Sequence, residues 1–187
     1  LNNIAKRYEN SWIFKNINCH FEEGKTYALI GNNGSGKSTL LRCIAAMHSI
    51  NKGSIDYVIS NKKFEPEKFY KQYSFSAPGM EIIEEMTLNE FLQFHFKLKP
   101  TLPNYNIEDI IKFIGLEQYK DTIIRNFSSG MKQRVKLAQA LFSNVPYVLL
   151  DEPCTNLDQH GFDLYDKLIE ETKGNRTIII ASNDPRE

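Results

Sequence analysis

The run GNNGSGKST, residues 31–39, decides how this chain is read. It fits the pattern G-x-x-x-x-G-K-[ST], with Gly31, Gly36, Lys37 and Ser38 at the fixed positions. The apolar run TYALI before it (residues 26–30) predicts a buried strand, and LLRCIAAM after it (residues 40–47) predicts a helix. A phosphate chain needs many donors converging on it without steric obstruction. Gly31, Gly34 and Gly36 free the backbone to turn its N–H groups toward one anion, with Asn32, Asn33, Ser35 and Thr39 in the same loop. The helix that begins there adds the positive end of its dipole. Lys37 is expected to neutralise the β- and γ-phosphates, and the Ser38 hydroxyl to ligate Mg2+.

The rest of the composition sets limits on that reading. A chain of 187 residues is one ordinary domain, or a domain with a small inserted lobe. Its 23 Lys and Arg balance 23 Asp and Glu, which argues against a protein held to nucleic acid by bulk positive charge. Cys19, Cys43 and Cys154 are far apart and form no C-x-x-C pair, a spacing that suits reduced thiols rather than a disulfide framework or zinc site. No apolar run approaches the roughly 18 residues of a membrane span, and no signal peptide is visible. The chain does not begin with Met, so its ends are expected to be trimmed relative to the natural protein.

Outward from the loop, residues 1–8 and 13–21 alternate well enough to predict a hairpin. Residues 51–54 read as a turn and 55–59 as a short strand. Residues 60–71 are polar, with Pro66 excluding an undisturbed helix, and 72–75 form another short strand. Thr87-Leu88-Asn89-Glu90 is a capping box that starts a helix through Phe96. Asn106 caps a helix over residues 107–114, closed by Gly115, and a third helix runs from Ser128 and Ser129 to about Ser143. Strands resume at 147–150 and 177–181, with a helix over 159–172 between them. Strand and helix alternate, so the fold class is α/β with a mostly parallel sheet, a short antiparallel sheet at the start and an inserted helical subdomain. The core lobe covers about 1–85 and 144–187, the helical subdomain about 86–143.

Tyr147-Val148-Leu149-Leu150-Asp151-Glu152 is an apolar strand ending in two carboxylates. Alone, such a pair could simply cap the next turn. After a phosphate loop it reads as a metal and water site, because ligands in an open α/β sheet lie at the carboxyl ends of the strands. Asp151 would then hold Mg2+ through water, and Glu152 would polarise the attacking water.

Two further stretches carry a resemblance to a family. Residues 127–134 (FSSGMKQR) resemble the LSGGQ signature of ATP-binding cassette (ABC) ATPases, and Thr155-Asn156-Leu157-Asp158 resembles their D-loop. The motifs come in the family's order over essentially the whole chain, which implies a P-loop NTPase core with ATP and Mg2+ as cofactors. It implies that Tyr8 stacks on adenine. Ser128, Ser129 and Gly130 would close over the nucleotide of a second subunit in a head-to-tail homo- or heterodimer, with Asp158 in the D-loop. Physically, Ser128 and the next two amides sit at a helix N-terminus, which is an anion site or an ordinary cap. Lys132 and Lys136, four apart, read as a solvated face.

Three places depart from the family's pattern. The signature has Ser129 and Met131 where the family has Gly and Gln. Ser76 falls where the family has the Q-loop Gln, a shorter group that would reach Mg2+ through water. Asn183 replaces the switch His; it can donate a hydrogen bond to the γ-phosphate but cannot accept a proton as imidazole does.

The resemblance implies an ATPase subunit of a membrane transporter, peripheral on the inner face of the cell membrane, with a separate permease. The apolar stretch of residues 78–96 would line the permease groove, its phenylalanines alternatively forming the helical lobe's own core. The compact helical lobe is similar to small export-type cassettes. A soluble cassette acting on ribosomes or DNA, and a weakly hydrolysing cassette paired with an active partner, are the alternatives. The N-K-x-D base-reading motif of GTPases is absent, since Asn51-Lys52 is followed by Gly53-Ser54.

Overall fold

The structure, a computed structural model, describes residues 1–184 and 186. The chain opens with β1 (Asn2–Tyr8) and β2 (Ser11–Ile17), an antiparallel hairpin. The phosphate-loop strand is β3 (Thr26–Ile30), and α1 (Lys37–Ile44) leaves the loop directly. Residues 51–54, expected to be a turn, instead hold β4 (Lys52–Ser54), the third strand of the hairpin's sheet in the order β2-β1-β4. Gly53 explains both readings. Its φ of +82° suits a turn, yet a Cβ there would stand 2.3 Å from the Asn2 carbonyl oxygen, so glycine is what lets β4 close on β1.

Next come β5 (Tyr57–Ile59) and β6 (Lys62–Phe64), a small ribbon, and α2 (Pro66–Phe69). Pro66 starts that helix rather than barring it, because at the first helical position its missing N–H is no loss. β7 (Tyr73–Ser76) then enters the main sheet.

The helical segment follows: α3 (Leu88–Leu98), α4 (Ile107–Phe113) and α5 (Ser129–Leu141). Thr87 and Glu90 make the expected reciprocal cap, and Asn106 pairs with Asp109 in the same way on α4. β8 (Tyr147–Asp151), α6 (Gln159–Thr172) and β9 (Thr177–Ser182) complete the fold. The main sheet is four-stranded and parallel in the order β3-β9-β8-β7. Both faces of β8 and β9 are covered, whereas β3, expected to be a buried strand, is the edge of the sheet and leaves Thr26, Ala28 and Ile30 exposed. Val148, Leu150, Ile178 and Ile180 join Leu88, Leu92, Ile110 and Leu137 of the helical segment in one apolar core. Leu149, Ile179 and Ala181 face the other way, onto Leu41 and Ile44 of α1. The helical segment therefore shares its core with the sheet, and this holds the end of β8 against α5.

Candidate nucleotide site

Gly36 is the N-cap of α1 at φ +96°, a conformation that side chains resist. A Cβ on it would also meet Ile13 Cγ2 of the hairpin at 2.6 Å. The β1–β2 sheet thus closes directly on the phosphate loop. The helix begins three residues earlier than LLRCIAAM suggested, so the amides of Lys37, Ser38 and Thr39 are first-turn donors with no intrahelical partner.

Lys37 is buried, and its ammonium donates to the Gly31 carbonyl at 2.7 Å and the Asn32 carbonyl at 3.1 Å. The Ser38 hydroxyl donates to Asp151 Oδ1 at 2.7 Å, across 113 residues of sequence. Burial pushes the Asp151 carboxyl above the usual range, opposed by the Ser38 hydrogen bond and by Arg42 and Lys37. Glu152 follows it, half-buried, in the left-handed region at φ 43°. Its N–H is fixed to the Ala181 carbonyl of β9 at 2.8 Å. Asn183, just beyond β9, donates from Nδ2 to Asn33 Oδ1 of the loop at 2.8 Å. Loop, strand end and switch position therefore meet at one edge of the sheet.

Oxygen donors from Ser38 and Asp151, with few other protein groups, suit Mg2+, which keeps several waters and is completed by substrate phosphates. Ser76 lies beside them in register, opposite Leu150, but it is fully buried, and its Oγ has no hydrogen-bond partner among the described residues. Ser76 as placed has no surface open to an ion.

Tyr8 is 46% exposed at the end of β1. Its hydroxyl meets His48 Nδ1 at 3.0 Å, and the Lys6 ammonium covers the ring at 4.9 Å from its centroid. Burial, then the charges of Arg42 and Lys6, depress the His48 pKa, which favours the neutral ring beside the tyrosine hydroxyl. Neither Lys6 nor His48 was marked by the sequence, since nothing local ties either to Tyr8.

The signature stretch lies at the start of α5. Ser128 is the N-cap and accepts from the Met131 amide at 3.2 Å, with Ser129 and Gly130 in the first turn. Asp158 caps α6, accepting from the Gly161 amide at 2.8 Å, and is exposed. Lys132 and Lys136 are not a free solvated face. Lys132 pairs with Glu84 at 2.7 Å and Lys136 donates to the Pro78 carbonyl at 2.8 Å, so both tie α5 to residues 78–85. A cavity of about 330 Å³ is lined by Met47, Tyr70, Phe75, Met80 and Ile83, together with His95 and Lys99. Of the aromatic stretch, Phe91 and Phe96 belong to the core, whereas Phe94 and Ile83 are exposed.

A parallel sheet with a phosphate loop on one strand and a carboxylate pair on another defines a P-loop NTPase cassette. The ABC transporter family matches residues 14–155. The uncharacterized ABC transporter ATP-binding protein YybJ of Bacillus subtilis (strain 168) is 36% identical over 188 aligned residues, covering 97% of this chain and 83% of the relative. The phosphonates import ATP-binding protein PhnC of Fusobacterium nucleatum is 29% identical over 195 aligned residues, covering 95% and 79%. Among solved structures, the dimeric post-hydrolysis state of the ATP-binding cassette MJ0796 bound to ADP and Pi superposes with a TM-score of 0.81 at 23% identity, covering 98% and 87%. The chain belongs to the ABC transporter ATP-binding protein family.

Proposed function

We propose that this chain binds Mg-ATP at residues 31–39, hydrolyses it with Glu152 as the water-activating base, and drives a separate membrane permease as a dimer. The observation that carries the reading is the Ser38–Asp151 hydrogen bond, which brings the two halves of a Mg-nucleotide site together from opposite ends of the sequence. Lys37 trades the Gly31 and Asn32 carbonyls for phosphate oxygens, leaving the loop amides to complete the cradle. Ser38 and Asp151 hold Mg2+, which when bound offsets the charge of the β- and γ-phosphates. Glu152 orients a water and accepts its proton as the water oxygen bonds to the γ-phosphorus and the bond to the ADP oxygen breaks. Asn183 turns its Nδ2 from Asn33 to the γ-phosphate. Tyr8 offers a half-exposed ring to the base, and Ser128, Ser129 and Gly130 close over the partner's nucleotide, with Asp158 beside them.

Among the described residues no helix is long and apolar enough to cross a membrane. The cavity walled by Met80, Ile83 and Phe75 supports assigning this surface to the permease, a reading in which the chain is peripheral on the inner face of the membrane. The relatives include an import ATPase, so the export-like helical lobe carries no direction.

A second reading, a weakly hydrolysing cassette paired with an active partner, is favoured by Asn183, whose carboxamide neither charges nor takes a proton. ATP turnover of the purified chain beside Glu152→Gln, with molecular mass followed with and without Mg-ATP, separates the two. Turnover in the parent and an ATP-locked dimer in the variant support the first. Nucleotide binding with neither turnover nor dimer supports the second, and no nucleotide binding refutes both.

A further inference from the structure

Gln133 occupies a position on α5 that is otherwise part of the helix's apolar stripe with Leu137, Ala140 and Leu141. It is 2% exposed, and its Nε2 donates to the Pro153 carbonyl at 2.6 Å, across 20 residues of sequence. A buried carboxamide needs such a partner, and proline offers only its carbonyl. Pro153 directly follows Glu152, whose left-handed φ of 43° is strained for a glutamate and persists only where the surroundings hold it. Three contacts do so, the first of them local: the Glu152 carbonyl accepts from the Thr155 N–H at 3.2 Å. The Glu152 N–H bonds to Ala181 of β9, and Gln133 holds the next carbonyl from α5. The same two segments meet again one turn earlier on the helix, where a Cβ on Gly130 would stand 3.3 Å from the Asn156 carbonyl oxygen.

We infer that Gln133 is a positioning residue for hydrolysis, setting where the Glu152 carboxylate stands by fixing the backbone that carries it. The inference rests on the reading of Glu152 as the base. Loss of the Gln133 donor lets residue 152 relax toward an ordinary φ, which displaces the base and leaves the phosphate loop untouched. Small displacements of a reacting group are enough to slow turnover, by up to about 100-fold for 1 Å. The consequence is a split, with kcat lowered and nucleotide affinity kept.

The test compares Gln133→Met, which keeps the reach and removes the donor, with Leu137→Val, which loosens the same buried helix without touching Pro153. Steady-state kcat and KM for Mg-ATP are measured beside the Kd of a fluorescent ATP analogue and the melting temperature. Gln133→Met is expected to lower kcat about tenfold with KM and Kd within about twofold, while Leu137→Val at equal or lower melting temperature keeps the parent kcat. A parent-like kcat in Gln133→Met overturns the inference, as does an equal loss in both variants or a joint loss of kcat and affinity. Glu152→Gln in the same assay keeps the two readings apart. If it turns over like the parent, the base assignment fails and the inference with it; if it is inactive while Gln133→Met is not, only the role of Gln133 fails.

Discussion

Gly36→Ala tests the claim that the hairpin and the phosphate loop are interlocked, and its cost separates into two parts. Holding alanine in the left-handed region of φ +96° costs about 1–2 kcal/mol. The new methyl would also stand 2.6 Å from Ile13 Cγ2, a branch atom that cannot swing aside, and such overpacking costs about 1–3 kcal/mol. Together these remove about 2–5 kcal/mol, a large share of the ~5–15 kcal/mol that stabilises a typical domain. For a chain of this size that corresponds to a melting point lower by roughly 4–20 °C. Ile13→Ala on its own leaves a half-buried site smaller and costs about 1–2 kcal/mol. In the double variant the overlap is gone and the backbone strain stays. The double-mutant cycle should therefore show a coupling of about 1–3 kcal/mol, with Gly36→Ala incompletely rescued. Urea unfolding of the four proteins, compared at equal m-values, measures it. A Gly36→Ala protein within about 0.5 kcal/mol of the parent, or two losses that simply add, refutes the interlock.

Three further outcomes follow from the site and its surroundings. Burial raises the Asp151 pKa, so its folded form takes a proton more readily than the unfolded chain; that contribution is full below the unfolded value of about 3.9 and is lost as pH rises through the folded pKa. Asp151→Asn should accordingly raise the melting temperature of the nucleotide-free protein at pH 7–8 while weakening Mg-ATP binding; calorimetry showing a lower melting point would count against a strained ionised carboxylate. His95, bonded to Ser143 at 3.0 Å, is lowered to about 4 by burial and then by the charge of Lys99. Its neutral form contributes stability above the unfolded pKa of 6.5 that is lost as pH falls toward 4, worth roughly 3 kcal/mol in all; urea titrations at pH 7 and 4.5 should show this loss and show it flattened in His95→Gln. Asn183→His should raise ATP turnover and add a limb to its pH profile near ~6.5, where imidazole titrates; a variant no faster than the parent means the switch position does not limit hydrolysis.

Much of the fold was legible because its signals are local. Thr87 with Glu90 and Asn106 as a cap announce α3 and α4 in the sequence, and β3 and α6 begin and end where their apolar patterns do. What was hidden depends on a distant partner. Lys52-Gly53-Ser54 has turn chemistry, and only the nearness of Asn2 and Asn3 makes it a strand. The apolar pattern marks α1 only from Leu40 because its N-cap is a glycine, which leaves no side-chain mark. Lys132 and Lys136 look like any charged helix face until residues 78–85 fold against them. Gln133 did leave a signal: a lone carboxamide within an apolar helical stripe asks for a buried acceptor, though not which one.

The candidate site divides along the same physical line. Where the chemistry is delivered by backbone, the side chain is free to differ. Ser129 in place of glycine sits in the first turn that Ser128 caps, and Met131 in place of glutamine turns its side chain onto the apolar core. The amides at the start of α5 are presented either way. Where the chemistry belongs to the side chain, a change alters what can be done. Asn183 keeps a donor within 2.8 Å of the phosphate loop but surrenders the proton, and Ser76 exchanges a long amide for a hydroxyl sealed in the sheet. Under the proposed function the departures that bear on rate are these two, both at positions that the resemblance assigns to the γ-phosphate or its metal, while Lys37, Ser38, Asp151 and Glu152 retain the groups that the proposed binding and water activation call for.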